Sequence, residues 1–304
     1  MAAAPDPVPI RPRILACDID GTLLDEAGFL DPAVRDAVAL VSASGVEVIL
    51  ATGRSPWNGV TALARSLGLG GPQITMQGAL VTAPGGIDVL RARPLPPPLY
   101  LEVLAVADEL GIDLIAGLLD GNRAERLPDG IASLPHSGSE TGRFEYVADL
   151  AALAGAEPLR LFLPTGPARH ETVKRAVQER LGDRAAVTWS DTSGVEILAL
   201  GTDKGEALAW LTGLHRVERP EVAAVGDARN DLGMLRWAGR SAAMAAAPPD
   251  VLAAADVVVA PVGARGILGA FAWFFADLAE PLKSLGCWGV AEPVAQAVGS
   301  LPST

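Results

Sequence analysis

The run RILAC at positions 13 to 17 is apolar enough to be buried on both faces, yet it stops on DIDG, two carboxylates two residues apart followed by glycine. A strand of that kind belongs inside a parallel sheet covered on both sides, its C-terminal end opening into a polar turn. The next segments repeat the pattern. Asp31 and Pro32 make an N-cap and first-turn pair for a helix through PAVRDAVALVSASG, and VEVILAT forms a second strand before Gly53. A helix over about 56 to 68 and a short strand at QITM continue the alternation. Strand, helix, strand order of this kind predicts an α/β sheet with sites at strand C-termini.

Between 83 and 200 the texture changes. PLPPPL precedes a helix, IDLIAGLLDGNRAERL reads as a hairpin around Asp120 and Gly121, and LRLFLP is a strand. A helix through ETVKRAVQERLG and the stretch AAVTWSDTSGVEILAL, turning at Asp191 to Gly194, complete an α+β insert. After Asp203 the first pattern resumes: a helix over 204 to 214, the strand EVAAVGD, a helix over NDLGMLRWAG, and the strands SAAMA and DVVVA. The expected organisation is a flexible leader (1–12), a split α/β core (13–82 and 201–304) and an inserted α+β domain (83–200). A chain of 304 residues with 50% hydrophobic content has material for both domains.

Charge narrows the partners. With 24 basic and 36 acidic residues, a net of -12, the field repels nucleic acid and anionic membranes, so neither is expected as a partner. It also repels phosphorylated substrates, which requires any phosphate site to be rebuilt locally from a cation, backbone amides and a few basic side chains. Cys17 and Cys287 have no metal-binding or disulfide spacing and read as small buried residues. The N-terminus lacks the apolar core of a secretory signal, and GILGAFAWFFADL is too short to cross a bilayer, so a cytoplasmic location is expected. That segment, with Trp273, Phe274 and Phe275, is expected to pack against the sheet or a partner subunit. His136, His170 and His215 are scattered and suggest surface or satisfied core positions.

Chemistry is concentrated at strand ends. Period-two geometry can aim Asp18 and Asp20 into one crevice, where their repulsion must be offset by a divalent cation or a shared proton; taken alone the pair reads equally well as solvated turn aspartates. Asp227 and Asp231 flank the loop GDARND after another strand. Four carboxylates in one region suit a hard, oxygen-ligated cation, Mg²⁺ above all. Asn230 reads as a helix cap, a site residue, or both. Thr52 and Gly53 place a hydroxyl and flexible amides where phosphoryl oxygen can bind, and Lys204 opens a helix whose N-terminus faces an anion if it borders Asp18. By position alone, without the other motifs, it reads as an exposed helix-start lysine. Arg54 either touches substrate or pairs with an acidic neighbour.

DIDGTLLD at 18 to 25, ATGR at 51 to 54, GTDKG at 201 to 205 and GDARND at 226 to 231 together resemble the haloacid dehalogenase-like superfamily, in order and spacing its Cof-type phosphatases. The insert resembles the superfamily's type-IIB cap by position and length. The resemblance implies a Rossmann-like core with an inserted cap, and a Mg²⁺-dependent phosphatase of small phosphate monoesters such as sugar phosphates. Asp18 would be the nucleophile and Asp20 the general acid. Thr52, Gly53, Arg54, Lys204 and Asn230 would contact phosphate or substrate. Mg²⁺ would bind Asp18, the backbone carbonyl of Asp20, Asp227, and Asp231 directly or through water. Two stretches depart from the family pattern, Gln77-Gly78-Ala79 where NGA is usual and Ala243-Met244-Ala245-Ala246-Ala247 where AMGNA is usual. Two other readings stay open, a phosphomutase and a catalytically silent metabolite-binding regulator. The molecule is expected as a monomer or homodimer.

Overall fold

The computed structural model describes residues 10–86, 88–126, 144–189, 193–286 and 292–293. Most of the expected leader, His136, Cys287, and Asp191 and Thr192 of the expected turn lie outside the described residues.

The first apolar run is β1 (Ile14–Cys17). It pairs in parallel with β2 (Glu47–Leu50). Between them lies α1 (Pro32–Ala43), capped as its sequence demands: the Asp31 carboxylate accepts from the Ala33 amide at 2.8 Å. The segment expected as one helix over 56 to 68 is broken. A wide turn at Pro56–Val60, with Gly59 at φ 74°, precedes α2 (Thr61–Ser66), because a left-handed glycine cannot continue a helix.

A three-stranded antiparallel sheet follows, made of β3 (Gln73–Thr75), β4 (Leu80–Thr82) and β5 (Val89–Ala92). A parallel bridge between Ala51 and Ile74 joins it to the core. The inserted layer begins with α3 (Pro97–Leu110). Then come β6 (Ile115–Gly117), β7 (Asn122–Ala124) and β8 (Phe144–Tyr146). It is completed by β9 (Arg160–Pro164), α4 (His170–Leu181), β10 (Ala185–Thr188) and β11 (Gly194–Ala199). Their sheet runs β10-β11-β9-β6-β7-β8, antiparallel except for the parallel pair β7 and β8. The expected hairpin at Asp120 and Gly121 is the β6–β7 pair.

The chain then returns to the core through α5 (Lys204–His215) and β12 (Val222–Gly226). The rest is α6 (Leu232–Trp237), β13 (Arg240–Met244), α7 (Pro249–Leu252), β14 (Val257–Val259), α8 (Gly266–Phe274), α9 (Ala279–Ser284) and β15 (Glu292–Pro293). The core sheet has the order β15-β14-β13-β12-β1-β2 and is parallel except for its β15 edge.

Alternate residues of β1 serve opposite faces. Leu15 and Cys17 pack with α1 and α8, whereas Ile14 and Ala16 pack with α5 and α6. Burial on both sides is why the strand carries no polar residue until Asp18. Phe274 and Phe275 belong to the same apolar cluster as α1, and no helix among the described residues is long and apolar enough to cross a membrane. Cys17 is buried, which pushes its thiol far above the usual range. His170 is buried, and His215 pairs with Glu47 at 2.9 Å.

Candidate active site

Strand order decides where the site lies. From β1 the chain moves to β2 on one side, while β12 lies on the other, so the crevice beyond the β1 and β12 C-termini is where the strand order reverses. The Asp18 amide still bonds to the Val225 carbonyl at 3.0 Å, which brings the DIDG turn beside the GDARND loop.

Asp18, Asp227 and Asp231 each offer a carboxylate oxygen within 4.8 Å of the others. Two glycines make the approach possible. A Cβ on Gly21, which has φ 82°, would lie 2.4 Å from Asp227 Oδ2, and one on Gly226 would lie 2.5 Å from the Asp231 carboxyl carbon. Thr22 donates its hydroxyl to Asp227 Oδ1 at 2.9 Å. Asp231 is fully buried and bonded on both oxygens: Oδ2 accepts from the amides of Asp227 and Ala228 at 3.0 and 2.9 Å. Its Oδ1 accepts from Lys204.

Lys204 is no exposed helix-start lysine. It is 0% exposed, and its Nζ donates to Asp18 Oδ1 and to Asp231 Oδ1, both at 2.6 Å. Burial alone would lower the lysine pKa, but the charges and hydrogen bonds of Asp18 and Asp231 outweigh it and hold it well above normal. Asp203 caps this helix through the Glu206 amide at 2.8 Å, so the lysine reaches inward while its own helix start is satisfied.

One ammonium does not balance three carboxylates. Asp18 is pushed well above the carboxylate range, chiefly by burial; Lys204 opposes the shift, while Asp231, Asp227 and Asp20 add to it. Asp227 is pushed up to about 7 by burial and then by Asp231, against the pull of Thr22 and Lys204. A site that resists losing its protons for want of positive charge, and whose donors are all hard oxygens, fits a divalent cation.

Asp20 is not in this cluster. Its carboxylate turns to Arg54, which grips both oxygens, Nε to Oδ2 at 2.8 Å and Nη2 to Oδ1. Arg54 thus pairs with an acidic neighbour. Thr52 is buried beside them, and its hydroxyl accepts from the Arg54 amide at 3.1 Å. The Thr52 O–H hydrogen is therefore not used in that bond. Asn230 caps neither turn around it: Ala228 precedes the short turn Arg229–Asp231, and Asp231 precedes α6. Its Nδ2 instead donates to Gln77 Oε1 at 3.1 Å.

Sequence reasoning missed Thr22, Arg160 and Glu196. Arg160 Nη1 donates to the Gly53 carbonyl at 2.6 Å, and Glu196 pairs with Arg160 at 3.1 Å. The signal was present, since Glu196 stands inside the apolar run GVEILAL, where a charge needs a buried partner.

The model of the haloacid dehalogenase-like hydrolase family matches residues 15–271. A putative phosphatase of Bacillus subtilis is 28% identical over 262 residues, covering 80% of this chain and 91% of its own length. A chloroplastic endoribonuclease of Arabidopsis thaliana is 28% identical over 254 residues, 80% of this chain but 43% of that longer protein. Among solved structures, a sugar phosphatase of haloacid dehalogenase subclass IIB superposes with a TM-score of 0.76 at 22% identity, covering 86% of this chain and 98% of its own. With the family model spanning both segments of the core and the inserted mixed sheet in the place of a type-IIB cap, the chain belongs to the haloacid dehalogenase-like hydrolases.

Proposed function

We propose that the protein is a Mg²⁺-dependent phosphatase that hydrolyses a small phosphate monoester, a sugar phosphate or similar metabolite, through an aspartyl-phosphate on Asp18. The observation that carries this reading is Lys204, a lysine with no exposed surface whose ammonium is shared between Asp18 and Asp231 at the central strand end. A buried charge of this kind is costly unless the site uses it. The phosphatase named among the relatives and the subclass IIB sugar phosphatase support the substrate class.

In this reading Lys204 holds one oxygen of Asp18 and leaves the other to attack phosphorus in line. The new bond joins Asp18 to phosphorus while the ester bond breaks, and the departing alkoxide takes a proton from Asp20. Water then attacks phosphorus while the Asp18–phosphorus bond breaks, returning the Asp18 carboxylate and releasing phosphate, and Asp20 accepts the water's proton, so Asp20 serves in both directions. Arg54 must yield one Asp20 oxygen for this, and a substrate oxygen arriving at the guanidinium supplies the exchange. Thr52 donates its free O–H hydrogen to a phosphoryl oxygen, with the Gly53 segment and Asn230 beside it. Mg²⁺, held by Asp18, the Asp20 backbone carbonyl and Asp227, with Asp231 directly or through water, would neutralise charge on the transferring phosphoryl group. Residues 83–200 would act as a cap over a core formed by 13–82 and 201–304, excluding water from the strand ends.

The test is phosphate release from a panel of sugar phosphates and p-nitrophenyl phosphate, with Mg²⁺ and with a chelator. Release that the chelator abolishes is expected. No release from any of them would sink the phosphatase reading, and turnover only with a bisphosphate activator would mark a mutase.

A second expectation concerns pH. An unfolded Asp titrates at about 4, whereas burial and Asp231 push the Asp227 carboxyl up to about 7 in the folded protein. The folded state therefore keeps a proton that the unfolded state has lost, and this group's contribution to metal-free stability declines as pH rises from the lower value to the higher. The cation requires ionised ligands, and Asp18 and Asp227 are both pushed up, so its affinity rises as pH climbs through 7. Melting curves should show a larger Mg²⁺-induced rise at pH 8 than at pH 5.5. An equal rise at both values would count against Asp227 as a ligand.

A further inference from the structure

Met76, Gln77 and Gly78 take φ of 50°, 58° and 93° in succession. Left-handed backbone is unfavourable for residues that carry a Cβ. Hydrogen bonds from Met76 N to the Arg54 carbonyl at 2.9 Å and from Gln77 N to the Thr52 carbonyl at 3.0 Å hold this turn. On its other side it presses on the start of α5, since a Cβ on Gly78 would lie 2.3 Å from the Asp203 carbonyl oxygen. The turn is thus wedged between the Thr52 loop and the Lys204 helix.

This backbone aims the buried Gln77 amide at two partners on different elements. Its Oε1 accepts from Asn230 Nδ2 at 3.1 Å, and its Nε2 donates to Glu196 Oε2 at 2.5 Å. A donor on one side and an acceptor on the other fix the amide's orientation. Glu196 belongs to the inserted sheet. Val195 and Ile197 pack in the cluster under α3 and α4, so strand alternation sends Glu196 to the opposite face, toward the core. There it meets Arg160, which reaches the Gly53 carbonyl, and both side chains are at least nine-tenths buried.

We propose that Gln77 is a positioning residue through which the cap sets the loop carrying Asp227 and Asp231. The contacts run without a gap from the Arg160–Glu196 pair through Gln77 to Asn230, which lies between the two aspartates in sequence. With the cap strand in place, Asn230 is held and the loop keeps the shape in which Asp231 Oδ2 receives the Asp227 and Ala228 amides. Asparagine at position 77 would be shorter by one carbon–carbon bond, about 1.5 Å, and could not reach both partners. The kinetic part of the proposal rests on the phosphatase reading; the structural part does not.

The test exchanges the two facing groups. Gln77→Glu sets a carboxylate against Glu196, while Gln77→Glu combined with Glu196→Gln restores one donor facing one acceptor. The readouts are Mg²⁺ affinity by calorimetric titration, amide hydrogen exchange over residues 226–232, and kcat and KM on p-nitrophenyl phosphate. The single variant is expected to bind Mg²⁺ about tenfold more weakly, to exchange faster in that loop, and to lose about tenfold in kcat with little change in KM. The pair of substitutions is expected to return to within about threefold of wild type on each readout. Gln77→Asn, which adds no charge, should move every readout in the same direction and decides the matter if the facing carboxylates prevent folding. A merely structural Gln77 would lower the melting temperature and leave Mg²⁺ affinity and loop exchange unchanged. Wild-type affinity and exchange in Gln77→Asn, or a double variant as impaired as Gln77→Glu, would overturn the proposal. Wild-type protein that binds Mg²⁺ and turns nothing over would overturn the phosphatase reading, while affinity and exchange still judge Gln77.

Discussion

Asp18→Asn is expected to slow Mg²⁺-dependent phosphate release by about four orders of magnitude or more, and at the same time to raise the melting temperature of the metal-free protein at pH 8. Both effects come from one carboxylate. As the proposed nucleophile it has no substitute in the amide, whose oxygen cannot form a stable phosphoryl ester. As a charge it is a liability, because three carboxylates share one ammonium and burial already pushes the Asp18 pKa well up. The neutral amide removes one of the two excess negative charges and still accepts from Lys204. Opposite movements of activity and stability are the signature of a functional charge held against its preference. Phosphate release at the wild-type rate would remove Asp18 from the mechanism. A clear fall in metal-free melting temperature would show that the cluster is balanced without a cation.

Lys204→Met is expected to move both quantities down. Methionine fills a similar volume, but Asp18 and Asp231 lose the ammonium that each holds at 2.6 Å. Breaking a buried pair by removing one partner costs about 3–5 kcal/mol, a fall of roughly 10 °C in melting temperature. Activity should drop by at least about a thousandfold, since in the proposed mechanism the lysine also orients the attacking oxygen. Mg²⁺ should recover part of the stability and little of the rate, because a cation replaces charge and not the hydrogen bond that aims Asp18. A variant that melts with wild type would mean that Lys204 does not set the charge of the site.

Much of this was readable from the order of residues. Apolar runs that end on Asp18, Thr52 and Asp227 mark strands buried on both faces, and such strands expose polar groups only at their ends. The cap was visible as a change of texture, with its hairpin at Asp120 and Gly121. Other features depended on groups far apart in the chain. Whether Lys204 was exposed could not be judged from GTDKG, because its burial depends on Asp18, 186 positions away. Period-two spacing pointed Asp18 and Asp20 into one crevice, and the positions of Lys204 and Arg54 give them different partners. The break at Pro56–Val60 escaped a helical reading because apolar spacing continues across Gly59.

Gln77 divides the two kinds of knowledge most clearly. Its sequence shows an amide where the family pattern has a shorter one, with no indication of what the extra carbon reaches. Only folding places Glu196 on one side and Asn230 on the other. The sequence by itself determined the strands, the core with its insertion, and the acidic groups at the strand ends, because hydrophobic periodicity and turn chemistry are local. The tertiary structure alone decided which charges face one another and which core loop Gln77 joins to the inserted sheet. Electrostatic and hydrogen-bond partners are chosen by distance in space, and no local pattern along the chain records that distance.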